Sequence, residues 1–540
     1  MLPPLARELA ETTAEQTGAC TRPLAVRRID PATGDKRIVP IPCGATRASV
    51  CPTCADRSAR LRRWQAKEGW HLTEEPQITT AEPTTEQRAL LGYRADLEDA
   101  RAAALEHDDR HQAAELDSAI GQADAMLRGE GVRGSATRRK PDSIEQRRTR
   151  STRRRQDAAN LPRRPVAQHT TGRVFEAPDG KTYRPSTFLT LTLPSYGPVA
   201  SDGSALDPHS YDYRRAARDA IHFGALVDRF WQNLRRAVGW NVQYFAAVEP
   251  QHRGAPHLHA AVRGTMTRKL IHEVVAATYH QVWWPPHDQP VYVDGRLPVW
   301  DATREQACYV DPDTLTPLPT WDQALDELGA DPDAQPAHVV RFGHRGVDVQ
   351  GVLAGSEDAG RCLRYLVKYL TKSINECFEP DTDPAARHVE RLTEVLRYEP
   401  CSPTCANWLR YGVQPEGTKQ GLVPGQCKGK AHKPDNLGYS GRRCLVSRKW
   451  SGRNLSEHRD ERRAHVLRTL GAVGARVDQA TPDGDADRYR WELIRPGDLD
   501  QPDRTELLLR SIAERRRWRE QYDHAKQQAA QLSATDDQAA

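Results

Sequence analysis

Hydrophobic positions recur along this chain with two periods, and the switch between them locates the elements. Residues 187–194, Thr-Phe-Leu-Thr-Leu-Thr-Leu-Pro, alternate strictly. Phe188, Thr190 and Thr192 fall on one face and Leu189, Leu191 and Leu193 on the other, which predicts a strand covered on one side. A second strand is expected over 241–248, followed by a turn over 250–256 and a third strand from 257. On that third strand His257 and His259 share one face, while Leu258, Ala260 and Val262 share the other. A symmetric hairpin register sets Glu249 opposite His257. Further strands are expected at 339–342 and 347–352. The Asp294-Gly295 pair predicts a tight hairpin between 291–293 and 296–299.

The helical period appears over 211–238, through Ile221, Leu226, Phe230 and Leu234, and over 266–283, through Leu270, Ile271, Val274, Val275 and Val282. It returns over 364–373, where two faces separate at about 100° per residue. Tyr365, Lys368, Tyr369 and Lys372 lie on one face, and Leu363, Leu366, Val367, Leu370 and Ile374 form the core-facing stripe. These elements predict an α+β domain over 168–378, an antiparallel sheet with helices on one face. Around it the pattern divides the chain into a cysteine-rich module (1–80), a helical insertion with a basic arm (81–167), a second cysteine-containing basic module (379–455) and a helical C-terminal region (456–540). Within these, 85–128 reads as a polar helix pair, 455–470 and 504–531 as helices, and 535–540 as a structureless end.

Composition changes this picture in three ways. Of 540 residues 38% are hydrophobic and 28% charged, so part of the length is solvated rather than core. The net charge of +5 is modest but uneven: 133–164 carries 12 Arg or Lys against 3 Asp or Glu, an arm suited to nucleic acid in which Arg153, Arg154 and Arg155 are the densest run. No run of about 18 apolar residues exists and the first residues lack signal-peptide character, so a cytoplasmic protein with no membrane partner is expected.

Eleven cysteines without an export signal argue for thiolate metal sites instead of disulfides. Cys51-Pro-Thr-Cys54 is a knuckle that Cys20 and Cys43 can complete as a closed structural zinc site. Cys401, Cys405, Cys427 and His432 have the spacing of a second, with Cys444 as a substitute ligand. Lys428, Lys430, Lys433, Arg442, Arg443, Arg448 and Lys449 surround it, with Tyr439 and Trp450 as stacking surfaces, a combination suited to DNA. Two imidazoles and a third ligand, the Glu249 carboxylate or else His252 in the turn, leave positions open on a divalent ion that must also hold a phosphate. Two phenols beside two ammonium groups suit a nucleophile acting on a phosphodiester.

Thr-Leu-Thr, then His-Leu-His, then Tyr-x-x-Lys-Tyr-x-x-Lys resembles, in that order, the three motifs of the HUH endonucleases that initiate rolling-circle replication. More narrowly, 257–264, 365–373 and 401–408 resemble the replication initiators of actinomycete plasmids and integrative conjugative elements. The resemblance implies nicking of one strand at an origin, a 5′-phosphotyrosine intermediate and a 3′ hydroxyl left for the host polymerase. It further implies Mg or Mn at the histidine site, single-stranded or cruciform origin DNA as substrate, and a host helicase and DNA polymerase as partners. By the same resemblance Tyr369 makes the first cleavage and Tyr365 accepts the strand at termination. A relaxase or a tyrosine-dependent transposase would use the same chemistry. A non-catalytic zinc-containing DNA-binding regulator would make the histidines and tyrosines incidental.

Overall fold

The computed structural model describes all residues except 1–3, 71, 73, 77–83, 108, 130–159, 173, 177–179, 181, 294, 345, 354–355, 369, 371–381, 454, 456, 463, 465–488, 495–497, 499 and 540. Two compact units result, one of Met1–Pro76 with Gln156–Ala540, the other of Gln77–Arg155.

In the larger unit α1 (Pro4–Thr17) precedes β1 (Leu24–Ile29) and β2 (Lys36–Ile41), and α2 (Pro52–Trp70) starts at the cysteine knuckle. The smaller unit is the helix pair α3 (Thr85–Glu106) and α4 (Arg110–Gly129). Thr84 and Gln87 form a reciprocal capping box at the start of α3. Between the helices Arg94 is buried, held by Asp124 at 2.5 Å and Glu98 at 2.8 Å, so its charge is paired rather than stranded. Arg153, Arg154 and Arg155 lie outside the described residues.

After a small hairpin of β3 (Phe175–Glu176) and β4 (Thr182–Tyr183), the strand predicted from alternation forms as β5 (Pro185–Thr192). Next come α5 (Tyr213–Val238), β6 (Tyr244–Pro250) and β7 (Pro256–Val262). Asp212 caps α5 by accepting from Arg215 N, and Gly239 ends it at φ +79°, a left-handed cap that costs glycine least. The β6–β7 register sets Glu249 against His257 and Pro250 against Pro256, as the sequence predicts. Arg253 locks the connecting turn to the end of β5 by donating to the carbonyls of Leu193 and Pro194 at 2.8 and 2.6 Å.

Beyond this hairpin lie α6 (Arg268–Ala277), β8 (Tyr279–Val282), β9 (Val299–Asp301), β10 (Cys308–Val310) and α7 (Trp321–Ala330). Then come β11 (His338–Arg341), β12 (Val347–Leu353), α8 (Glu357–Lys368), α9 (Asp383–Tyr398), β13 (Cys444–Val446), β14 (Arg490–Leu493) and α10 (Arg504–Ala539). The main sheet runs β12-β5-β7-β6-β13, every pair antiparallel. A second sheet, β14-β1-β2, joins the two ends of the chain, and α1 packs on α10 beside it.

Both faces of the main sheet are covered, where helices on one face were expected. Leu189, Leu191, Leu258, Ala260 and Val262 pack against Phe223, Leu226, Phe230 and Leu234 of α5, with α6 and α9 alongside. On the opposite face Phe188, Phe245, Ala247 and Ala261 meet Leu363, Leu366 and Val367 of α8 and Ala59, Ala66 and Trp70 of α2. The cause is visible in the hairpin: Ala246, Ala247, Ala260 and Ala261 put small apolar groups on both sides, so helices approach from each. Each leucine buried here contributes on the order of 1.5–3 kcal/mol.

Three local expectations are corrected. The helix expected over 266–283 ends at Ala277. Thr278 turns to an extended backbone, its hydroxyl bonds Val274 O, and Tyr279–Val282 pairs with β11, which therefore lies outside the main sheet. Where a hairpin was expected about Asp294-Gly295, Arg296 N bonds Val293 O, but Val291 N and Tyr292 N bond Arg410 O and β9 pairs with β10. Tyr292 is drawn off by burial against Tyr309, Leu318 and Leu409, an instance of tertiary packing overriding turn chemistry. The last helix continues to Ala539 through the end expected to be structureless, in keeping with its Gln- and Ala-rich sequence. Of 455–470 the described part is helical over 457–462. Among the described residues no helix is long and apolar enough to cross a membrane.

Candidate metal centre

The hairpin that buries four alanines also fixes three donors. Glu249 faces His257 across the β6–β7 ladder, and His259, two residues along, faces Ala247 on one side and Thr190 on the other. One donor atom from each of Glu249, His257 and His259 lies within 4.8 Å of the others. The Nε2 atoms of the two imidazoles are 2.7 Å apart. Thr190 Oγ1 sits 3.0 Å from His259 Nδ1, which fixes the ring and leaves Nε2 aimed at the centre. Phe188 stacks on the same ring at 6.1 Å and 17°. His252, the alternative ligand, is exposed in the turn and outside this group.

Burial dominates the electrostatics. It lifts the Glu249 carboxyl to about 7, against the opposing pull of Arg443 and Lys368. It depresses His257 to about 3, with His259 adding to the effect, and His259 to about 4, with Asp348 opposing. Both imidazoles are therefore neutral at physiological pH, and Glu249 Oε1 is buried without a hydrogen-bond partner. Two neutral ring nitrogens at hydrogen-bond distance beside an unsatisfied carboxylate oxygen are what a divalent cation would satisfy; the donors fit. A pH dependence follows. Because the apo carboxyl is raised, the metal-free protein loses stability as pH rises from the ordinary carboxylate range through about 7, and Mn2+ binding tightens over the same interval. Calorimetric Mn2+ titrations across that range check it; a flat affinity excludes Glu249 as a ligand.

Helix α8 presents the nucleophile candidates. Ala359, Cys362, Leu363, Leu366 and Val367 bury its inner stripe, so Tyr365, 39% exposed, stays on the outer side with its hydroxyl 3.1 Å from His259 Nε2. Lys368 lies one turn on and is close enough to lower the Glu249 carboxyl. Tyr369 and Lys372 lie outside the described residues.

Both cysteine sets converge. Cys20, Cys43, Cys51 and Cys54 bring their sulfurs within 4.8 Å of one another, and so do the donors of Cys401, Cys405, Cys427 and His432. The hydrogen bond from Cys20 holds the Cys54 thiol down at about 5, while Cys20 itself is pushed up. In the second set the Cys401 and Cys405 contacts lower Cys427, and His432 rises to about 10 against burial because its hydrogen bonds to the Cys401 and Cys427 sulfurs favour its charged form. His432 Nδ1 bonds Leu396 O at 2.8 Å, turning Nε2 toward the sulfurs. Four donors with no open position suit a tetrahedral structural ion, and no cysteine among the described residues is in a disulfide. Cys444, the substitute ligand, instead lies in the main sheet opposite Ala247.

Near the second set Lys428, Lys430, Lys433, Arg442 and Arg448 are exposed, Lys430 Nζ also donating to Gly441 O, while Arg443 is half-buried and donates Nε to Val248 O. Tyr439 and Trp450 are core residues, not stacking surfaces: Tyr439 packs on Phe223, and Trp450 on Phe245 and Arg263. Sequence reasoning missed the role of Thr190, although its face was legible, and the part of Arg443, which depends on a strand pairing about 200 residues away in sequence.

The full sequence matches, over residues 6–514, the RepSA family described as "Replication initiator protein, pSAM2". The chain belongs to this replication initiator family. A replication initiator protein of Streptomyces ambofaciens is 28% identical over 278 residues, which cover 42% of this chain and 52% of that protein. The chain thus spans about half the length of the curated relative it matches. No solved structure matches it.

Proposed function

We propose that this chain initiates rolling-circle replication as an HUH-type endonuclease, nicking one strand of origin DNA, single-stranded or cruciform, through a covalent 5′-phosphotyrosine. The observation that carries the reading is the convergence of Glu249, His257 and His259 with the Tyr365 hydroxyl at 3.1 Å from His259 Nε2. Membership of a replication initiator family favours replication over mobilisation or transposition as its purpose.

Bound Mg or Mn would polarise the scissile phosphate. Glu249, His257 and His259 would hold it, and Thr190 keeps the His259 ring turned. The phenol oxygen attacks phosphorus, the O3′ bond breaks, and the leaving oxygen takes up a proton to become a 3′ hydroxyl, so no water or redox partner is consumed. Lys368 and Lys372 favour phenolate and attract the backbone. Tyr369 makes the first cleavage, following the family resemblance, and Tyr365 accepts the strand at termination. Zn in the two cysteine sets is structural, and a host helicase and DNA polymerase extend the freed end in the cytoplasm. Lys428, Lys430, Arg442, Arg443 and the Arg153–Arg155 run contribute backbone contacts.

Mass spectrometry of the protein after incubation with origin oligonucleotides and Mn2+ tests this. Tyr369→Phe is expected to lose the nucleotide adduct, and Tyr365→Phe to nick once and lose repeated transfer. The opposite pattern makes Tyr365 the first nucleophile, and an undiminished adduct in the double variant removes both tyrosines as nucleophiles.

A further inference from the structure

Helix α2 has an outer face that neither the metal centre nor the cysteine set uses. Arg57, Arg60, Trp64 and Lys67 recur at i, i+3, i+7 and i+10, within an arc of about 80°. Its inner face, through Ala59, Ala66 and Trp70, packs in the same cluster as the tyrosine helix α8. The outer face is thus carried on an element adjoining the proposed nucleophiles.

Two other elements add charge to it. Arg57 donates to Gly18 O at 3.4 Å, and Arg515 Nε of α10 lies 3.9 Å from where a Gly18 side chain would begin, so two guanidinium groups meet at one backbone position. Arg519 stands one turn beyond Arg515, and Arg462 comes from the helical residues 457–462. Burial, then Arg57, Arg519, Arg462 and Arg60, all disfavour the charged form of Arg515. Asp56 answers Arg60 and Asp523 answers Arg519, but among the described residues no ion pair engages Arg57, Arg462 or Arg515. Such like-charge crowding costs stability unless an anion is drawn to it.

Trp64 gives the face a second chemistry. It is 38% exposed among these cations, an unusual place for an indole. It rests on His458 at 5.9 Å, and that ring is itself buried, its Nε2 held by Ser451 Oγ at 3.1 Å. A buttressed ring flanked by guanidinium groups offers stacking to a base face, which an unpaired strand presents and a duplex does not.

We propose that the outer face of α2, completed by Arg462, Arg515 and Arg519, is a seat for single-stranded DNA, with Trp64 as the platform for one base. The choice of DNA as occupant rests on the proposed nicking function; the seat itself does not depend on the metal centre.

Fluorescence anisotropy of the full chain with a labelled oligo-dT and with a hairpin duplex, without added divalent ion, separates the possibilities. Trp64→Ala is expected to weaken oligo-dT binding about tenfold while leaving its salt dependence unchanged. Arg462→Gln with Arg515→Gln is expected to reduce the slope of log K against log salt by about 0.7 for each lost phosphate contact. The unfolding temperature of the arginine pair should hold or rise as repulsion is relieved, whereas a structural role would lower it. Unchanged oligo-dT affinity in both variants overturns the seat. So does equal weakening of duplex and single strand by the arginine pair with no effect of Trp64→Ala, which marks a duplex backbone contact. Absence of origin nicking by the wild-type chain, with Trp64→Ala still weakening oligo-dT, defeats the proposed function and leaves the seat standing.

Discussion

His259→Ala is expected to eliminate Mn2+-dependent nicking and to weaken Mn2+ binding by more than the roughly 10- to 100-fold that loss of a supporting partner costs. His259 joins three of the contacts at the centre: its Nε2 meets His257 Nε2 at 2.7 Å and the Tyr365 hydroxyl at 3.1 Å, and its Nδ1 meets Thr190. Removing it takes away one donor and the reference point for the phenol. Thr190→Val isolates the second effect, since it keeps the shape of the side chain and removes the hydroxyl that turns the ring. It should fall in that 10- to 100-fold range for metal affinity, with the tyrosine adduct still formed at saturating Mn2+. Calorimetry and adduct mass spectrometry on the two variants check this. If His259→Ala binds Mn2+ as the wild type does, the three donors are a polar cluster and not a metal centre.

How much of this centre was legible in the sequence follows from range. Strand period and hairpin symmetry are local, so the pairing of Glu249 with His257 and the shared face of His257 and His259 could be read directly, whereas Thr190 meets His259 only through the β5–β7 pairing of segments 69 residues apart. The inner stripe of α8 was legible for the same reason, and its outward tyrosine followed. What escaped depends on contacts between distant segments. β13 completes the sheet by pairing Cys444–Val446 with β6, and nothing in three residues of sequence announces a strand. Tyr439 and Trp450 looked like DNA-stacking residues because they interrupt a basic run, yet the fold buries both. Trp64 shows the reverse: on helix α2 it falls on the same arc as Arg57, Arg60 and Lys67 and stays exposed, a placement that follows only once 52–70 is known to be helical.

Cys405→Ser is expected to have the largest effect on stability. Residues 399–443 contain no strand and no α-helix, only short 3₁₀ turns at Ala406–Tyr411, Lys430–His432 and Pro434–Asn436. The donors of Cys401, Cys405, Cys427 and His432 converge there beside the Trp408 cluster with Trp284 and Trp321, so a zinc held by the four would tie the segment together. A structural zinc supplies on the order of 10–16 kcal/mol, comparable with the about 5–15 kcal/mol that a whole domain has to spare. Loss of one sulfur should therefore unfold this segment and loosen β13, which begins just past it and pairs with β6 over Cys444–Val446, with Arg443 bonding Val248 at one end and Ser447 bonding Tyr244 at the other. Arg443 would leave Val248 O and the neighbourhood of Glu249 with it. Hydrogen exchange should show lost protection through 399–446 and along β6, with β5 and α5 still protected. Metal analysis should show one zinc fewer than the wild type, while Cys51→Ser removes the other ion and leaves β13 protected. Full zinc content in Cys405→Ser, or unchanged exchange at Leu445 and Val446, would show that packing alone holds this segment to the sheet.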